Sequence, residues 1–509
     1  MTQTISGLRG GRFGSGFDPA TRVSRRAFVA DGPRPVPDGL ALLRPVYWIA
    51  CGLAAGVGLR IGGIEAATLT IAALIALWAF AEPRAALWLA TAFMVYLFVF
   101  FQREAPLGEE LPEEFFYWGT GLALITAGLV AASLFSPQID WGVARRRFVA
   151  PASLAMIGLL AAILVASAYG LLVGNEPFAV ARQFFGCVLL PVYYFLALVL
   201  FRSAADAGIW LRRVSWCVVL GSLWYASKLS FVSAVRGFYY REQSALVTYA
   251  GAVVVVALCG FAEKRWLAAI RSHFQFAACL LAILFMGARA VLAGVIAAAA
   301  LLILVAAYRR GLAAIAVAAL LLSGAVAGGT YAGNFLIERP GRAGDVARRF
   351  FITLSKDQSY QGRMAQMGYV VDEFERHPVL GAGMGSVTAF LAPVEGRVRV
   401  TSVDNGWGYV MLKMGAVGLV TFSLAMALLF REALRGLAAA GRGRLRSDSL
   451  ALLGLLAYSL VTFWGGPLFF HFTEVACFGA ALGGIVVLAE ARRSLAGAPS
   501  GDSLPAAAE

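Results

Sequence analysis

Two arginines and one glycine-rich polar stretch hold most of the chemistry this chain can offer. Arg289 stands between two apolar runs with no charged neighbour in sequence. Arg363 lies in a long polar interruption that runs from Tyr331 to Asp404, ahead of the run HPVLGAGMG from His377 to Gly385, and the interruption ends on DNGWGYVMLKMGAVG. A guanidinium stays charged at any working pH and can hold two phosphate oxygens at once, so a pair of them at a lipid-water boundary suits a diphosphate. Each has a plainer reading. Arg289 can snorkel to the interface, and Arg363 can be a solvated surface cation.

The elements that must position these residues follow from composition. The chain is 60% apolar with only 14% charged residues, too little polar surface for a soluble fold of 509 residues. Its apolar runs of roughly 17 to 25 residues match what a helix needs to cross a bilayer, and no dyad alternation favours a barrel. The fold class expected is all-α, a polytopic bundle of about 12 to 14 transmembrane helices with one large extracytoplasmic loop containing amphipathic helices. The spans fall near Pro45 to Leu59, Ile64 to Ala81, Ala85 to Phe101, Phe116 to Phe135, Ala150 to Val173, Phe185 to Leu200 and Val214 to Ser230. They continue at Ala245 to Phe261, Phe274 to Ala288, Val291 to Ala307, Leu312 to Gly329, Gly406 to Phe430, Leu450 to Trp464 and Thr473 to Glu490.

Orientation follows the positive-inside rule. Arg9 to Arg26, Arg145 to Arg147, Arg202, Arg212 and Arg213, Lys264 to Arg271, Arg309 and Arg310, Arg431 to Arg446, and Arg492 and Arg493 all fall on one face. Both termini are therefore expected in the cytoplasm of a multi-pass protein. The organisation expected is a disordered basic tail (1–43), membrane helices (44–330), the extracytoplasmic loop (331–404), further membrane helices (405–491) and a second cytoplasmic tail (492–509). The net charge of +14 is spread through short juxtamembrane clusters, which argues against a nucleic-acid partner. All six cysteines lie in apolar spans, and the three histidines are far apart, so neither a disulfide framework nor a metal site is expected.

The loop of roughly 75 residues is longer than a connector needs. Gln361 to Arg376 places Met364, Met367, Val370, Val371 and Phe374 at helical spacing, which predicts an amphipathic helix at the mouth of the bundle, ended by Pro378. The GAGMG run lacks a preceding strand and a following acidic residue, and is not read as a dinucleotide loop. Asp404 is placed to cap a helix starting at about Gly406.

These features in this order resemble the O-antigen ligase and polymerase superfamily, integral membrane glycosyltransferases that use polyprenyl-diphosphate-linked glycans. The resemblance covers roughly the second half of the chain. It rests on GARAVLAG around Arg289, on Arg363 leading through a helix into HPVLGAGMG, and on Asp404, Asn405, nine residues, then Gly415 with Gly418 after it. The resemblance implies a metal-independent, inverting transfer without cofactor. Arg289 and Arg363 would hold the diphosphate leaving group, Asp404 would take the acceptor's proton, and Asn405, Trp407 and His377 would contact substrate. Partners would be a polyprenyl-diphosphate-linked oligosaccharide, a glycan or lipid acceptor and membrane lipid, at the bacterial cytoplasmic (inner) membrane.

Ligases of this family carry a histidine where this chain has Asp404, whose ordinary pKa near 4 makes it a weaker base unless burial raises it. That departure puts a surface-polysaccharide polymerase ahead of a ligase acting on lipid A core. A lipid-linked oligosaccharide flippase is the non-enzymatic alternative, and would need a charged path across the membrane. His377 is another candidate base, but its place before Pro378 reads first as a structural turn residue, and His471 is a remoter base.

Overall fold

The computed structural model describes residues 60, 63, 66–101, 113–137, 139–236, 244–260, 266–286, 289–308, 358–392, 396–400, 403, 405–438, 444–466, 468–470 and 472–496. The chain divides into two units, Met1–Ile71 and Ala72–Glu509, and the helices labelled below belong to the second. They are α1 (Pro83–Phe101), α2 (Glu113–Phe135), α3 (Trp141–Phe148), α4 (Pro151–Leu172), α5 (Pro177–Leu200), α6 (Ala204–Arg236) and α7 (Ser244–Gly260). After α8 (Trp266–Met286) and α9 (Arg289–Tyr308) come α10 (Gln358–Arg376), a hairpin of β1 (Thr388–Ala392) and β2 (Gly396–Val400), α11 (Gly406–Ala438), α12 (Arg444–Thr462) and α13 (Phe472–Ala496). Six of the helical segments are long and apolar enough to cross a membrane: Pro151–Leu172, Pro177–Leu200, Trp266–Ile283, Gly406–Ala438, Leu445–Thr462 and Glu474–Ala491. Shorter apolar helices include Ala66–Ala81, Pro83–Val95, Gly119–Phe135, Leu246–Gly260 and Ala290–Val305.

Every expected span that falls on described residues coincides with a helix, and those at Pro45 to Leu59 and Leu312 to Gly329 lie outside them. The fold is the all-α polytopic bundle that composition required, with one addition. β1 and β2 pair antiparallel with Phe390 opposite Val398, and the alternation Arg397, Val398, Arg399, Val400 is the period-2 pattern of such a hairpin. Each strand is only five residues long, too short for a hydropathy pattern to single out.

Local chemistry sets several helix ends. Pro151 and Pro177 occupy the first turns of α4 and α5, where a missing N–H costs nothing. Asp140 caps α3, its side chain accepting from the Val143 amide at 3.0 Å. Helix α13 packs closely on α5: a Cβ at Gly479 would stand 2.7 Å from the Leu190 carbonyl oxygen, and one at Gly483 2.6 Å from that of Tyr194. This is the small-residue packing that lets membrane helices touch backbone to backbone.

One end of the bundle is closed by ion pairs. Arg147, read from sequence as part of a juxtamembrane cluster, is only 4% exposed. Its guanidinium donates to the carbonyls of Leu198 (2.7 Å), Phe201 and Arg202 (3.1 Å) at the end of α5, and its Nε pairs with Glu490 of α13. A cation there satisfies carbonyls left over at a helix C-terminus and complements the helix dipole. Arg212 pairs with Asp448 at 3.2 Å, and the buried Glu432 pairs with Arg431 and Arg435. Removing Arg147 would leave those buried carbonyls without their donor and Glu490 with only the longer pairing to the exposed Arg146. Arg147→Ala is expected to cost about 3 kcal/mol in thermal unfolding of the detergent-solubilised protein. Arg146→Ala, whose side chain is 71% exposed, is expected to change stability by less than about 0.5 kcal/mol.

Candidate active site

The opposite end is organised by a break in α11. Sequence reading takes Gly406 to Phe430 as one continuous span, but Gly415 has φ 59° and ψ −153°, and the helix turns sharply there. In a straight helix Trp407 and Phe422 would be about 22 Å apart along the axis. Their ring centroids lie 5.4 Å apart, so the two arms fold toward each other. The first arm, Gly406 to Met414, is about 13 Å long and too short to cross a bilayer, whereas the second, Ala416 to Ala438, is about 34 Å long.

Breaking a helix frees backbone groups that a membrane cannot hydrate, and the glycine-rich run after Pro378 supplies their partners. The Leu412 carbonyl accepts from the Ala382 amide at 2.7 Å. The amides of Ala416 and Val417 donate to the carbonyls of Pro378 (2.8 Å) and Val379 (3.2 Å). Gly381, itself at φ 67°, faces Gly415 across this contact. A Cβ on Gly381 would meet the Leu412 oxygen at 2.5 Å, and one on Gly415 would meet the Gly381 nitrogen at 2.4 Å. No side chain fits at either position.

The same run is wedged against α4 and α5. The Met384 amide donates to the Ala166 carbonyl at 3.1 Å. Asn175 Nδ2 donates to the carbonyls of Ala382 (3.1 Å) and Met384 (2.9 Å), and Gln183 Oε1 accepts from the Gly385 amide at 2.7 Å. Lys413, wholly buried on the first arm of α11, donates from Nζ to the carbonyl oxygen of Ser386 and, at 3.0 Å, to its Oγ. Cys187 Sγ and Tyr409 Oη lie 3.6 Å apart beside it, and Arg182 is within its electrostatic reach. Sequence reading passed over Asn175, Arg182, Gln183, Ser386 and Lys413. The available signal was a lysine and an arginine inside apolar runs, where charge is costly enough to demand a reason.

Several residues singled out by sequence converge on the start of α11. Asn405, 8% exposed, caps the helix, its Oδ1 accepting from the Gly408 amide at 3.1 Å. The cap therefore belongs to Asn405; Asp404 lies outside the described residues, as does His471. Trp407 packs edge-on against Phe422 and Phe463, in a cluster that continues through Phe469 and Phe470. The expected amphipathic helix is α10, although its buried stripe is not the one the apolar residues suggest. Met364 and Val371 are exposed, while Gln366 and Val370 are buried and Met367 and Arg363 are half-buried. Positions 363, 366, 367, 370 and 374 lie on one helical face, and 364 and 371 lie off it. Arg363 thus heads a packed stripe, with its Nε shielded from solvent. One turn on, the Met367 sulfur lies 2.7 Å from where a Cβ on Gly408 would be.

The start of α9 reaches the same place by another route. A Cβ on Gly465 would stand 2.3 Å from the Ala290 Cβ, and two residues earlier the Phe463 carbonyl accepts from the Gly406 amide at 2.8 Å. The first residues of α9, beginning at Arg289, and the first residues of α11 therefore flank one turn. His377 stands apart. It is exposed at the far end of α10, about 21 Å along the helix from Arg363, with Nε2 4.0 Å from Glu373. Among the described residues no group of three side chains is arranged to hold a metal ion.

Residues 274–423 match the family model described as O-antigen ligase, Wzy_C. The matched region runs from α8 to the second arm of α11 and so contains Arg289, Arg363, the glycine-rich run and the break at Gly415. It supports the resemblance to the O-antigen ligase and polymerase superfamily, and with the apolar helices it marks an integral membrane protein. No curated protein matches the chain.

The facing glycines supply a direct test of this architecture. Gly381→Ala and Gly415→Ala each combine a positive φ with a backbone collision and are expected to cost more than about 2 kcal/mol in thermal unfolding. Gly368→Ala, on α10 with open space around it, is expected to stabilise by roughly 0.5 to 1 kcal/mol.

Proposed function

We propose that this protein transfers a glycan from a polyprenyl diphosphate to an acceptor hydroxyl on the extracytoplasmic face of the bacterial inner membrane, with polymerisation of surface-polysaccharide units ahead of ligation to lipid A core. The observation that carries the proposal is the meeting of three elements at one end of the bundle: the start of α9 at Arg289, the packed face of α10 headed by Arg363, and the Asn405 cap that follows Asp404 in sequence. The family match over residues 274–423 supports the reaction class. The ion-paired end with Arg147, Arg212, Arg431 and Arg435 is assigned to the cytoplasm by the positive-inside rule, so the α10 end faces outward with both termini inside.

In this reaction Arg289 and Arg363 bind the diphosphate. As the bond between the anomeric carbon and the diphosphate oxygen breaks, that oxygen takes the electron pair, and the two guanidinium groups stabilise its added charge. The acceptor oxygen bonds to the anomeric carbon from the opposite face, inverting it, and its proton passes to the Asp404 carboxylate. Trp407 and Asn405 line the approach, and the free polyprenyl diphosphate leaves into the outer leaflet. Neither a metal nor a cofactor takes part. The aspartate in the histidine's place favours the polymerase over the ligase.

The test uses purified protein in lipid bilayers with a polyprenyl-diphosphate oligosaccharide, scoring glycan chain growth. Arg289→Ala and Arg363→Ala are each expected to lower kcat on the order of 100-fold or more. Asp404→Asn is expected to lower it by a similar factor. Growth that survives all three changes removes the site assignment, and movement of glycan between leaflets without covalent change identifies a flippase.

A further inference from the structure

We infer that Lys413 is a positioning residue for this site, one whose ammonium pins the glycine-rich run to the first arm of α11 and so fixes Asn405 relative to Arg363. Its kinetic consequence rests on the proposed transfer reaction; its structural consequence rests on geometry alone.

The ammonium is wholly buried, and among the described residues no carboxylate pairs with it. Its contacts are the Ser386 carbonyl, the Ser386 hydroxyl at 3.0 Å and the face of the Tyr409 ring, whose centroid is 6.0 Å away. An apolar side chain of similar length would fill the same space without the cost of burying a charge, so packing does not explain a lysine here. What it joins does. Helix α10 runs through His377 directly into the glycine-rich run, which ends at Gly385 with Ser386 immediately after it. Among the described residues, the side chains that hold this run are Asn175 and Gln183 from the α4–α5 region and Lys413 from the arm that carries Asn405.

A closed circuit results. It passes from Arg363 along α10 to Ser386, across to Lys413, back up the arm to Asn405 and Gly408, and returns to α10 through Met367. A closed circuit limits how far its members can shift against one another, and a misplacement of about 1 Å at a reacting centre can cost on the order of 100-fold in rate.

Hydrogen exchange and transfer kinetics on the full-length protein in lipid nanodiscs, with polyprenyl-diphosphate oligosaccharide as substrate, test this. In Lys413→Met the amides of Ala382, Met384 and Gly385 are expected to exchange on the order of tenfold faster, the size of one lost charged hydrogen bond, while those of α5 and α13 keep their rates. The same variant is expected to lose about tenfold or more in kcat with KM within about twofold, the signature of lost orientation. Lys413→Arg should recover part of both. Ser386→Ala, which removes one of the two acceptors and leaves the helix packing intact, should show the same pattern in smaller measure and carries the comparison if Lys413→Met fails to fold. Exchange in these variants at the wild-type rate overturns the inference. So does exchange that rises equally through α5 and α13, or a loss confined to KM. A wild-type protein that transfers no glycan defeats the proposed reaction, while the exchange pattern still decides whether Lys413 is the tether.

Discussion

A helix broken inside a membrane must find hydrogen-bond partners for every backbone group the break releases, because lipid offers none. That requirement shapes this protein at Gly415. The freed groups of Leu412, Ala416 and Val417 are paired with Ala382, Pro378 and Val379, so the polar stretch that sequence presents as a loop is partly the missing wall of a broken helix. The two glycines that face each other there are what allow the backbones to come close enough to bond. The position of α10, and with it Arg363, follows from the same contact, since α10 leads without interruption into the run that fills the break.

The two ends of the bundle are held by different kinds of interaction. At one, charged side chains close on helix ends: Arg147 on the carbonyls of α5 and on Glu490, Arg212 on Asp448, and Arg431 and Arg435 on Glu432. At the other, the half-buried amide of Asn175, the buried amides of Gln183 and Asn405 and the buried ammonium of Lys413 hold backbone. Between them the helices meet through small residues, as where Gly479 and Gly483 lie on the backbone of α5. This division suits a protein that needs a firm base and a mouth shaped by its backbone.

Much of the fold was legible because hydropathy and proline are local signals. The spans on described residues appear as helices, and α10 ends at Arg376, just ahead of Pro378, as expected; α5, however, starts at Pro177, well before the expected span at Phe185. The break at Gly415 was not legible, since MLKMGAVG is apolar apart from Lys413 and a positive φ leaves no trace in hydropathy. The burial of Arg147 was hidden for a related reason: sequence shows a charge beside a membrane run, and only tertiary contact shows the carbonyls that bury it. At the start of α11 the sequence placed the cap on Asp404, and the structure places it one residue later, on Asn405. The burial of Arg363 was hidden because it depends on which face of α10 meets α11, and the apolar residues Met364 and Val371 suggested another face. Lys413 needed only the question of why a lysine should sit inside a span.

Polar groups sunk part-way into a bilayer create a hazard for the cell as well as a site, because a file of water running past them would short-circuit the ion gradients that power it. The rings gathered about the first arm of α11 address that hazard. Phe422, Phe463 and Phe469 have no exposure and Phe470 almost none, and their centroids lie 5.1 to 5.8 Å apart. Rings packed this closely leave no room for a file of water among them.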